Sequence, residues 1–326
     1  MPRIQFNQNF YECEGGESVL DCLLRHNPDL PHACKKGTCH SCLMQVKEGE
    51  VTEESQRGLK DTEIALGYFL PCSCKPVGDL SVTSPSQSLP SFETTVIEKF
   101  QLADDVMCLR LGNVDGFEYH AGQFVNIYKD ERVSRSYSIA SVPGVDAYLE
   151  FHIKLLPNGL VSSWVHDDLK PGDKLKISDA KGNSFYINDD LQKNMLLIGT
   201  GTGLAPLYGV IRDALQQGHT GQIHLYHGSR ESTGLYLVDE LQDLAAANEN
   251  LHYTPCVSGE SSNSKFVAGR ANELALEQHK DMKGWRVFLC GNPDMIEKTK
   301  LKVYLNGASL NDILTDPFVI GEAPTA

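Results

Sequence analysis

The sequence has little that would carry the chain into a membrane or onto a nucleic acid. No apolar run approaches the ~20 residues that cross a bilayer, and the polar start from Met1 to Phe10 lacks the charged-then-apolar pattern of a secretion signal. Positive charge is also scarce, with 29 Lys and Arg against 43 Asp and Glu and a formal net charge of −14. Nucleic acids and anionic membranes both attract basic surfaces. The sequence therefore predicts a soluble, cytoplasmic protein with no nucleic-acid or membrane partner.

The composition equally lacks the marks of a disordered or fibrous chain. Hydrophobic residues make up 41% of the 326 residues, and the 28 Gly and 15 Pro are too few for a collagen-like repeat. Domains usually span about 100–200 residues, so the length predicts two or three of them. The acidic excess favours a protein partner with a basic docking face.

The ten cysteines are unevenly distributed, with seven in the first 74 residues. In a cytoplasmic chain such a set does not indicate a disulfide framework. Cys34, Cys39 and Cys42 follow the spacing C-x4-C-x2-C, and Cys72 comes thirty residues later, which is the ligand pattern of a plant-type [2Fe–2S] cluster. Zinc sites favour C-x2-C pairs, so the four-residue gap argues against zinc. Inert buried thiols are the other alternative.

This segment resembles a plant-type ferredoxin module, and the resemblance implies a [2Fe–2S] cluster held by these four cysteines. Cys74 competes with Cys72 for the fourth position. Cys72 is preferred because its distance to Pro76 and Asp79 matches the family's usual stretch after the last ligand. His40 stands where the family more often has a small residue.

A stretch rich in serine and proline, 84–91, divides the chain and indicates a linker. Residues 1–84 form the first predicted domain. Residues 92–190 alternate short β-branched and aromatic runs with Gly and Pro turns, which is typical of an antiparallel β-barrel. From 191 to 326 apolar strands alternate with helical stretches, which predicts a parallel sheet with helices on its faces.

Three short runs within residues 92–190 occur in a characteristic order. Arg135-Ser136-Tyr137-Ser138 is preceded by Gly122-Gln123-Phe124-Val125 and followed by Gly159-Leu160-Val161-Ser162. Taken singly, Arg135 would be an ordinary surface residue and Tyr137 a core aromatic. The series is similar to that of the ferredoxin–NADP⁺ reductase family of flavoproteins, in which the same order of motifs builds the flavin site.

That resemblance implies a role for each member of the series. Arg135 would neutralise the flavin pyrophosphate through charge-assisted hydrogen bonds, Tyr137 would stack on the isoalloxazine, and Ser138 would bond near its reactive N5. Gly159 and Ser162 would hold the pyrophosphate at a helix start, where free N–H groups favour anions. The resemblance also favours FAD over FMN. The predicted flavin-binding set further includes Ser136 and Ile153.

A glycine-rich turn follows the first strand of the predicted parallel sheet. Gly201, Thr202 and Gly203 lie between an apolar strand and a helix start, where glycines let the backbone approach a pyrophosphate. The turn departs from the G-x-G-x-x-G fingerprint of dinucleotide-binding dehydrogenases because Pro206 stands at the last glycine position. It resembles the version of this turn in the reductase family.

Further candidates lie at the ends of later strands. In the family the residue equivalent to Cys290 lies beside nicotinamide C4, whereas on its own Cys290 would be a buried strand-end thiol. Ser229 and Arg230 are candidates to receive a 2′-phosphate, which Glu231 would oppose. No cluster of basic residues follows them in the sequence, so NADH is favoured and NADPH stays open. Phe318 either covers the flavin, as a C-terminal aromatic does in relatives, or packs as a terminal aromatic.

The three modules occur in the order cluster, flavin, nicotinamide, which resembles the reductase component of multicomponent oxygenases. The resemblance implies a multidomain protein: an α+β ferredoxin-like (β-grasp) domain, an antiparallel β-barrel and an α/β parallel-sheet domain. It implies an oxidoreductase that passes electrons from NADH through FAD and the cluster to a separate oxygenase or other acceptor protein, with Ser138 and Cys290 flanking the reacting atoms. A reductase serving a deoxysugar dehydratase and a non-catalytic redox sensor are the alternatives.

Overall fold

The structure is a computed structural model that describes residues 1–32, 35–37, 40, 42–84, 91–130, 133–259 and 265–318. The chain forms two compact units, Met1–Ser88 and Leu89–Ala326. Most of the predicted linker lies outside the described residues. Within the described ranges no helix combines the length and the apolar character that crossing a membrane requires.

In the described part of the first unit, five strands form one mixed sheet in the order β2-β1-β5-β3-β4, with β1 parallel to β5. Short helices pack on this sheet, which is the predicted β-grasp arrangement. The strands are β1 Arg3–Phe6, β2 Asn9–Glu12, β3 Met44–Glu48, β4 Tyr68–Phe69 and β5 Leu80–Thr83, and the α-helices are α1 Val19–Leu24 and α2 Asp61–Ala65.

Helix α1 begins where its capping residues predict. The spacing of Ser18 and Asp21 is that of a capping box, in which the cap side chain and a residue three positions later satisfy free backbone groups. Ser18 Oγ accepts from the Asp21 N–H at 3.1 Å and donates to its carboxylate at 2.7 Å. The helix then buries Val19, Cys22 and Leu23 in the same apolar cluster as side chains of β1 and β5. Helix α1 therefore begins directly after Ser18, its capping residue.

The first half of the second unit is an antiparallel barrel. Its described strands run in the order β10-β7-β6-β11-β8-β9, and a bridge between Ile139 and Phe151 joins the two ends. Side chains such as Leu109, Val125 and Phe151 fill the interior. The strands are β6 Ser91–Ala103, β7 Val106–Gly112, β8 Phe124–Tyr128, β9 Ser134–Ser138, β10 Tyr148–Lys154 and β11 Lys174–Ser178, and helix α3 is Leu160–Ser163.

The second half of this unit is a parallel sheet with helices on both faces. Met195 and Leu197 of β12 pack in one apolar cluster, while Leu196 and Ile198 pack in the other, which explains the continuous apolar run. The described strands follow the order β15-β14-β13-β12-β16-β17. They are β12 Met195–Thr200, β13 Ile223–Ser229, β14 Leu251–Val257, β15 Val267–Ala268, β16 Arg286–Gly291 and β17 Ile313–Pro317, with α4 Leu204–Gln216, α5 Val238–Ala247, α6 Ala271–Gln278 and α7 Pro293–Leu305.

The strand order places a crevice at the carboxyl end of the sheet. From β12 the chain proceeds outward through β13 and β14, whereas β16 lies on the other side of β12. Ligands of open parallel sheets bind at such a switch point. Helix α4 leads away from this edge and packs on the barrel, where Arg212 forms a bidentate ion pair with Asp146 at 2.7 and 2.9 Å.

Candidate functional site

In the first unit, two of the predicted cluster ligands lie together. Cys42 Sγ and Cys72 Sγ are 3.4 Å apart, and Cys72 is partly exposed. Cys74 is fully buried in the apolar core of the unit, packed with residues such as Val19 and Phe69. Cys34 and Cys39 lie outside the described residues. A single metal ion can contact both Cys42 and Cys72, so this geometry favours Cys72 over Cys74.

Three of the described residues between Cys34 and Cys42 have the left-handed backbone conformation that a tight loop needs. Lys35, Gly37 and His40 all have a positive φ, of 52°, 72° and 55°. A Cβ at Gly37 would lie 2.5 Å from Ser73 Oγ, so glycine lets the loop close onto the segment that carries Cys72. The Ser73 hydroxyl is itself 3.8 Å from Cys72 Sγ. The donor set and the close loop fit a sulfur-ligated cluster.

Strand β9 carries the predicted flavin residues in alternation. Arg135 and Tyr137 project to one side of the strand, and Ser136 and Ser138 project to the other. Tyr137 packs against the barrel core, and burial raises the pKa of its hydroxyl. Ser136 Oγ donates to Asn126 Oδ1 at 2.8 Å. The run therefore presents an aromatic face and a cation on one side and hydroxyls on the other.

The side chains of two other predicted flavin contacts, Ser162 and Ile153, already contact neighbouring parts of the barrel domain. Ser162 Oγ accepts from the Leu156 N–H at 3.2 Å and bonds the Gly159 carbonyl at 3.4 Å, which ties the turn before α3 together. The Ile153 side chain lies in the barrel core, and its carbonyl is 2.8 Å from His166 Nε2. Contacts of these residues to a ligand would therefore involve the backbone.

The glycine-rich turn after β12 packs directly on the end of β16. A Cβ at Gly203 would strike the Cys290 carbonyl, and one at Gly291 would lie 2.6 Å from the Thr200 carbonyl. Thr200 Oγ1 accepts from the Asn292 N–H at 3.0 Å. At Gly201, with φ +55°, no described atom lies within 4 Å of the Cβ position. That open face fits the close approach of a pyrophosphate.

Ser138 and Cys290 are brought together by a residue that the sequence reasoning did not single out. Ser138 Oγ donates to Asp316 Oδ2 at 2.6 Å, and Asp316 pairs in register with Cys290 across β16 and β17. Burial raises the pKa of Asp316 to about 6, partly offset by the Ser138 bond, and burial also raises the pKa of the Cys290 thiol. The available signal was an acidic residue at the carboxyl end of the last strand.

The remaining candidates lie around the same edge. Ser229 ends β13, its carbonyl accepting from the Ser258 N–H at 3.0 Å, and Arg230 and Glu231 are exposed beyond it. The Phe318 N–H donates to the Gly291 carbonyl at 2.8 Å, which holds this aromatic next to the end of β16.

Comparison with known proteins gives three consecutive domain matches. Residues 4–77 match the 2Fe-2S iron-sulfur cluster binding domain, 93–186 the oxidoreductase FAD-binding domain, and 197–301 the oxidoreductase NAD-binding domain. The reductase subunit of an aromatic O-demethylase from Amycolatopsis sp. is 31% identical over 88% of this chain and 89% of that protein. The chain belongs to the family of iron–sulfur flavoprotein reductases. The predicted fold class and the predicted cofactors, a [2Fe–2S] cluster, FAD and NAD, are confirmed, and the protein is an oxidoreductase.

Other members of this reductase family span the same length. The ferredoxin–NAD(P)(+) reductase component of the naphthalene 1,2-dioxygenase system of Pseudomonas putida is 30% identical over 98% of both chains. The CDP-6-deoxy-L-threo-D-glycero-4-hexulose-3-dehydrase reductase of Yersinia pseudotuberculosis is 27% identical over 95% of both. Among solved structures, the Amycolatopsis cytochrome P450 reductase GcoB superposes with a TM-score of 0.68 at 29% identity, covering 98% of this chain and 99% of that one.

Proposed function

We propose that this reductase is the electron-supplying component of a multicomponent oxygenase system, taking electrons from NADH and delivering them to a separate oxygenase. FAD supplies the conversion between two-electron hydride chemistry and the one-electron transfer that an iron–sulfur acceptor requires. The domain order 1–84, 92–190 and 191–326 assigns one cofactor to each part of the chain. The observation that carries the proposal is the convergence of Ser138, Asp316 and Cys290 from three strands.

In this proposal the chain's own groups bind and orient both nucleotides. The N–H groups of Gly201, Thr202 and Gly203 hold the NADH pyrophosphate at the start of α4. The Cys290 thiol stays neutral because burial raises its pKa, so it offers the nicotinamide a compact uncharged contact. Phe318 packs over the same cleft.

On the barrel side, Arg135 supplies the cation for the flavin pyrophosphate, Tyr137 the aromatic face, and Gly159, Ser162, Ser136 and Ile153 the surrounding wall. Asp316 accepts the hydrogen bond that the Ser138 hydroxyl donates and thereby fixes the direction of that hydroxyl. This bond holds the Ser138 hydroxyl in one orientation and prevents it from rotating freely. In the first unit, Cys34, Cys39, Cys42 and Cys72 bind the cluster.

NADH is proposed over NADPH because Glu231 stands exposed where the adenosine ribose would lie. A carboxylate accepts hydrogen bonds from a free ribose and repels a 2′-phosphate. Arg230 and Ser229 would contact the ribose from the same segment.

Delivery to the oxygenase is proposed to be transient. The net charge of −14 gives the surface a field that favours salt-sensitive docking, and a cytoplasmic location without nucleic-acid or membrane partners completes the proposal.

The test distinguishes electron transfer to an acceptor from the flavin and electron transfer to an acceptor from the cluster. Purified holoprotein is assayed with NADH and either ferricyanide, which is small enough to reach the flavin, or cytochrome c, a one-electron protein acceptor. The proposal expects turnover with both, and Cys72→Ser should lose cytochrome c reduction while keeping ferricyanide reduction. A protein that turns over neither acceptor would instead be a redox sensor.

A second candidate is the same electron chain serving a deoxysugar dehydratase, which the similarity to the Yersinia dehydrase reductase supports. Mixing the purified reductase with an oxygenase or with a dehydratase from the same organism, and measuring NADH consumption coupled to product, decides between the two. The proposal expects coupled turnover only with the oxygenase.

A further inference from the structure

A row of buried rings links the barrel to the parallel sheet at a place that the proposed function does not use. His152 of β10 and Tyr236, in the segment between β13 and α5, meet with His152 Nδ1 3.1 Å from the Tyr236 hydroxyl. Their rings are perpendicular, with centroids 5.2 Å apart. Both side chains are almost fully buried, at 4% and 2% exposure. A polar bond this deeply buried costs stability when it is broken.

On the barrel side the bond is held by an ion pair. Glu150 Oε1 lies 3.1 Å from His152 Nε2, and Glu150 Oε2 accepts from Arg110 Nε at 2.7 Å. Burial raises the pKa of Glu150, but the bonds from His152 and Arg110 outweigh it and hold the pKa at about 2. An ionised Glu150 requires His152 Nε2 to carry a proton. The other ring nitrogen of His152, Nδ1, is the one that faces the Tyr236 hydroxyl.

The side chains around Glu150 do not form a metal site. Cys108 Sγ lies within 4.8 Å of ligand atoms of Glu150 and His152. The arginine already neutralises the carboxylate, and a metal cation beside Arg110 would be repelled. The side chains of Arg110, Glu150 and His152 therefore anchor Tyr236.

On the sheet side the Tyr236 ring meets His227. These rings are also nearly perpendicular, with centroids 5.5 Å apart. His227 pairs in register with Gly199, just before the glycine-rich turn. Burial lowers the pKa of His227 to about 4, against a smaller raising effect of the Gly201 backbone. A neutral His227 thus lies beneath the turn, between that turn and Tyr236.

The backbone next to Tyr236 is strained. Leu237 has a φ of 54°, in the left-handed region that a branched side chain rarely adopts. Helix α5 begins at the next residue, Val238. Such a conformation persists only where its surroundings enforce it, and here the anchored Tyr236 lies on one side and the helix on the other.

We propose that Tyr236 is a positioning residue that fixes the glycine-rich turn relative to the flavin-binding barrel. The proposal rests on the proposed function, in which the turn holds the NADH pyrophosphate. Transfer between nicotinamide and flavin depends steeply on their separation and alignment. A residue that contacts the barrel through His152 and the turn through His227 sets that separation without touching either nucleotide.

The chain offers a matched control for this contact. Tyr186 and His219 form a second buried tyrosine–histidine bond, 3.2 Å long, with perpendicular rings 5.6 Å apart. His219 follows α4, at the end of that helix remote from the turn. Tyr236→Phe and Tyr186→Phe each remove one hydroxyl of the same chemistry, and only the first lies beneath the turn.

The experiment compares both variants with the wild-type holoenzyme. ADP-ribose, which carries the pyrophosphate but no nicotinamide, is titrated by calorimetry. NAD⁺ is titrated by the change it causes in flavin absorbance, and flavin reduction by NADH is followed by stopped flow. In Tyr236→Phe the dissociation constant of ADP-ribose should stay within about twofold of wild type, the NAD⁺-induced absorbance change should shrink, and the reduction rate should fall about fivefold to tenfold. Tyr186→Phe should lower the thermal midpoint by about as much as Tyr236→Phe does. It should leave the dissociation constant of ADP-ribose, the absorbance change and the reduction rate unchanged.

Equal behaviour of the two variants in the absorbance change and the reduction rate would overturn the positioning role. A wild-type holoenzyme that binds neither NAD⁺ nor ADP-ribose would overturn the proposed function itself. If Tyr236→Phe does not fold, His152→Leu removes the same bond from the barrel side and is expected to give the same pattern. His152→Asn keeps a hydrogen-bonding group near the Nδ1 position and should return the absorbance change and the reduction rate toward wild-type values.

Discussion

The cluster loop and the nicotinamide cleft are built in opposite ways. The ligands proposed for the cluster are near neighbours in sequence, three within Cys34–Cys42 and the fourth at Cys72. In the cleft, the shortest bond joins Ser138 to Asp316, which are 178 residues apart. A site made by one loop is visible as a spacing pattern, whereas a site made by strands of two different sheets becomes visible only when they are folded together.

The cysteines make the same contrast. The sulfur atoms of Cys42 and Cys72 are 3.4 Å apart, and Cys72 is partly exposed. Cys290 is fully buried, and burial raises its pKa, so it acts as a neutral thiol. In the proposed sites one residue type therefore serves as an anionic ligand in the first unit, whereas in the second unit it is a buried, neutral thiol.

The largest effect is expected from substitutions at the cluster loop. Cys72→Ser should abolish the cluster, because the thiolate facing Cys42 is removed. Cys74→Ala should keep it, because Cys74 lies in the apolar core. Iron, acid-labile sulfide and visible absorption of the two purified variants provide the measurement. Loss of the cluster in Cys74→Ala but not in Cys72→Ser would reverse the assignment.

The next largest effect is expected from substitution of Asp316 in the nicotinamide cleft. Asp316→Ala leaves the Ser138 hydroxyl without its acceptor, and hydrogen bonds to charged groups contribute about 1.5–3 kcal/mol, so flavin reduction by NADH should slow by about tenfold to a hundredfold. Asp312→Asn is the control, since Asp312 pairs with Lys193 at 2.7 Å near the start of β17 and remote from Ser138. An equal loss of rate in both variants would remove Asp316 from the proposed site.

The pH dependence of stability sharpens the contrast further. Burial raises the pKa of Asp316 from 3.8 to about 6, so the folded state binds the proton more tightly than the unfolded state. The cost of burying the charged form is present above pH 6 and disappears as the pH falls from about 6 to about 4. Asp316→Asn should therefore gain stability relative to wild type at pH 7.5, and that gain should shrink at pH 4.5. Urea unfolding of both proteins at the two pH values tests this, and a difference independent of pH would contradict it.

The smallest effect lies at the rim of the cleft. Glu231→Gln removes one exposed charge that would oppose a 2′-phosphate. Exposed charge pairs contribute about 0.2–1 kcal/mol, so kcat/KM for NADPH relative to NADH should rise about twofold to fivefold. Steady-state kinetics with both coenzymes measures the ratio. A ratio that stays constant would place the ribose elsewhere.

Much of the architecture follows from local chemistry. The apolar run Met195–Ile198 predicts a strand buried on both faces, and its residues indeed divide between two apolar clusters. The order of the cluster, flavin and nicotinamide motifs predicts the three folds that the family matches confirm. These features depend on periodicity and on order along the chain, which a sequence displays directly.

What the sequence could not supply is the set of partners that each side chain meets. Asp316 belongs to no motif, because its register with Cys290 and its bond to Ser138 both arise only in the folded chain. Tyr236 carries no motif, and only its burial between two histidines distinguishes it. The bond of the Ser162 hydroxyl to its own turn likewise follows from the fold and not from any spacing in the sequence.

The central claim is that this reductase moves electrons from NADH through a flavin to an iron–sulfur cluster. Anaerobic titration of the purified holoprotein with NADH, followed by visible absorption, tests it most directly. The account predicts that flavin and cluster bands bleach together, with NADPH less effective. A protein without stoichiometric iron and acid-labile sulfide, or one whose flavin is reduced by NADH while the cluster stays oxidised, would contradict it.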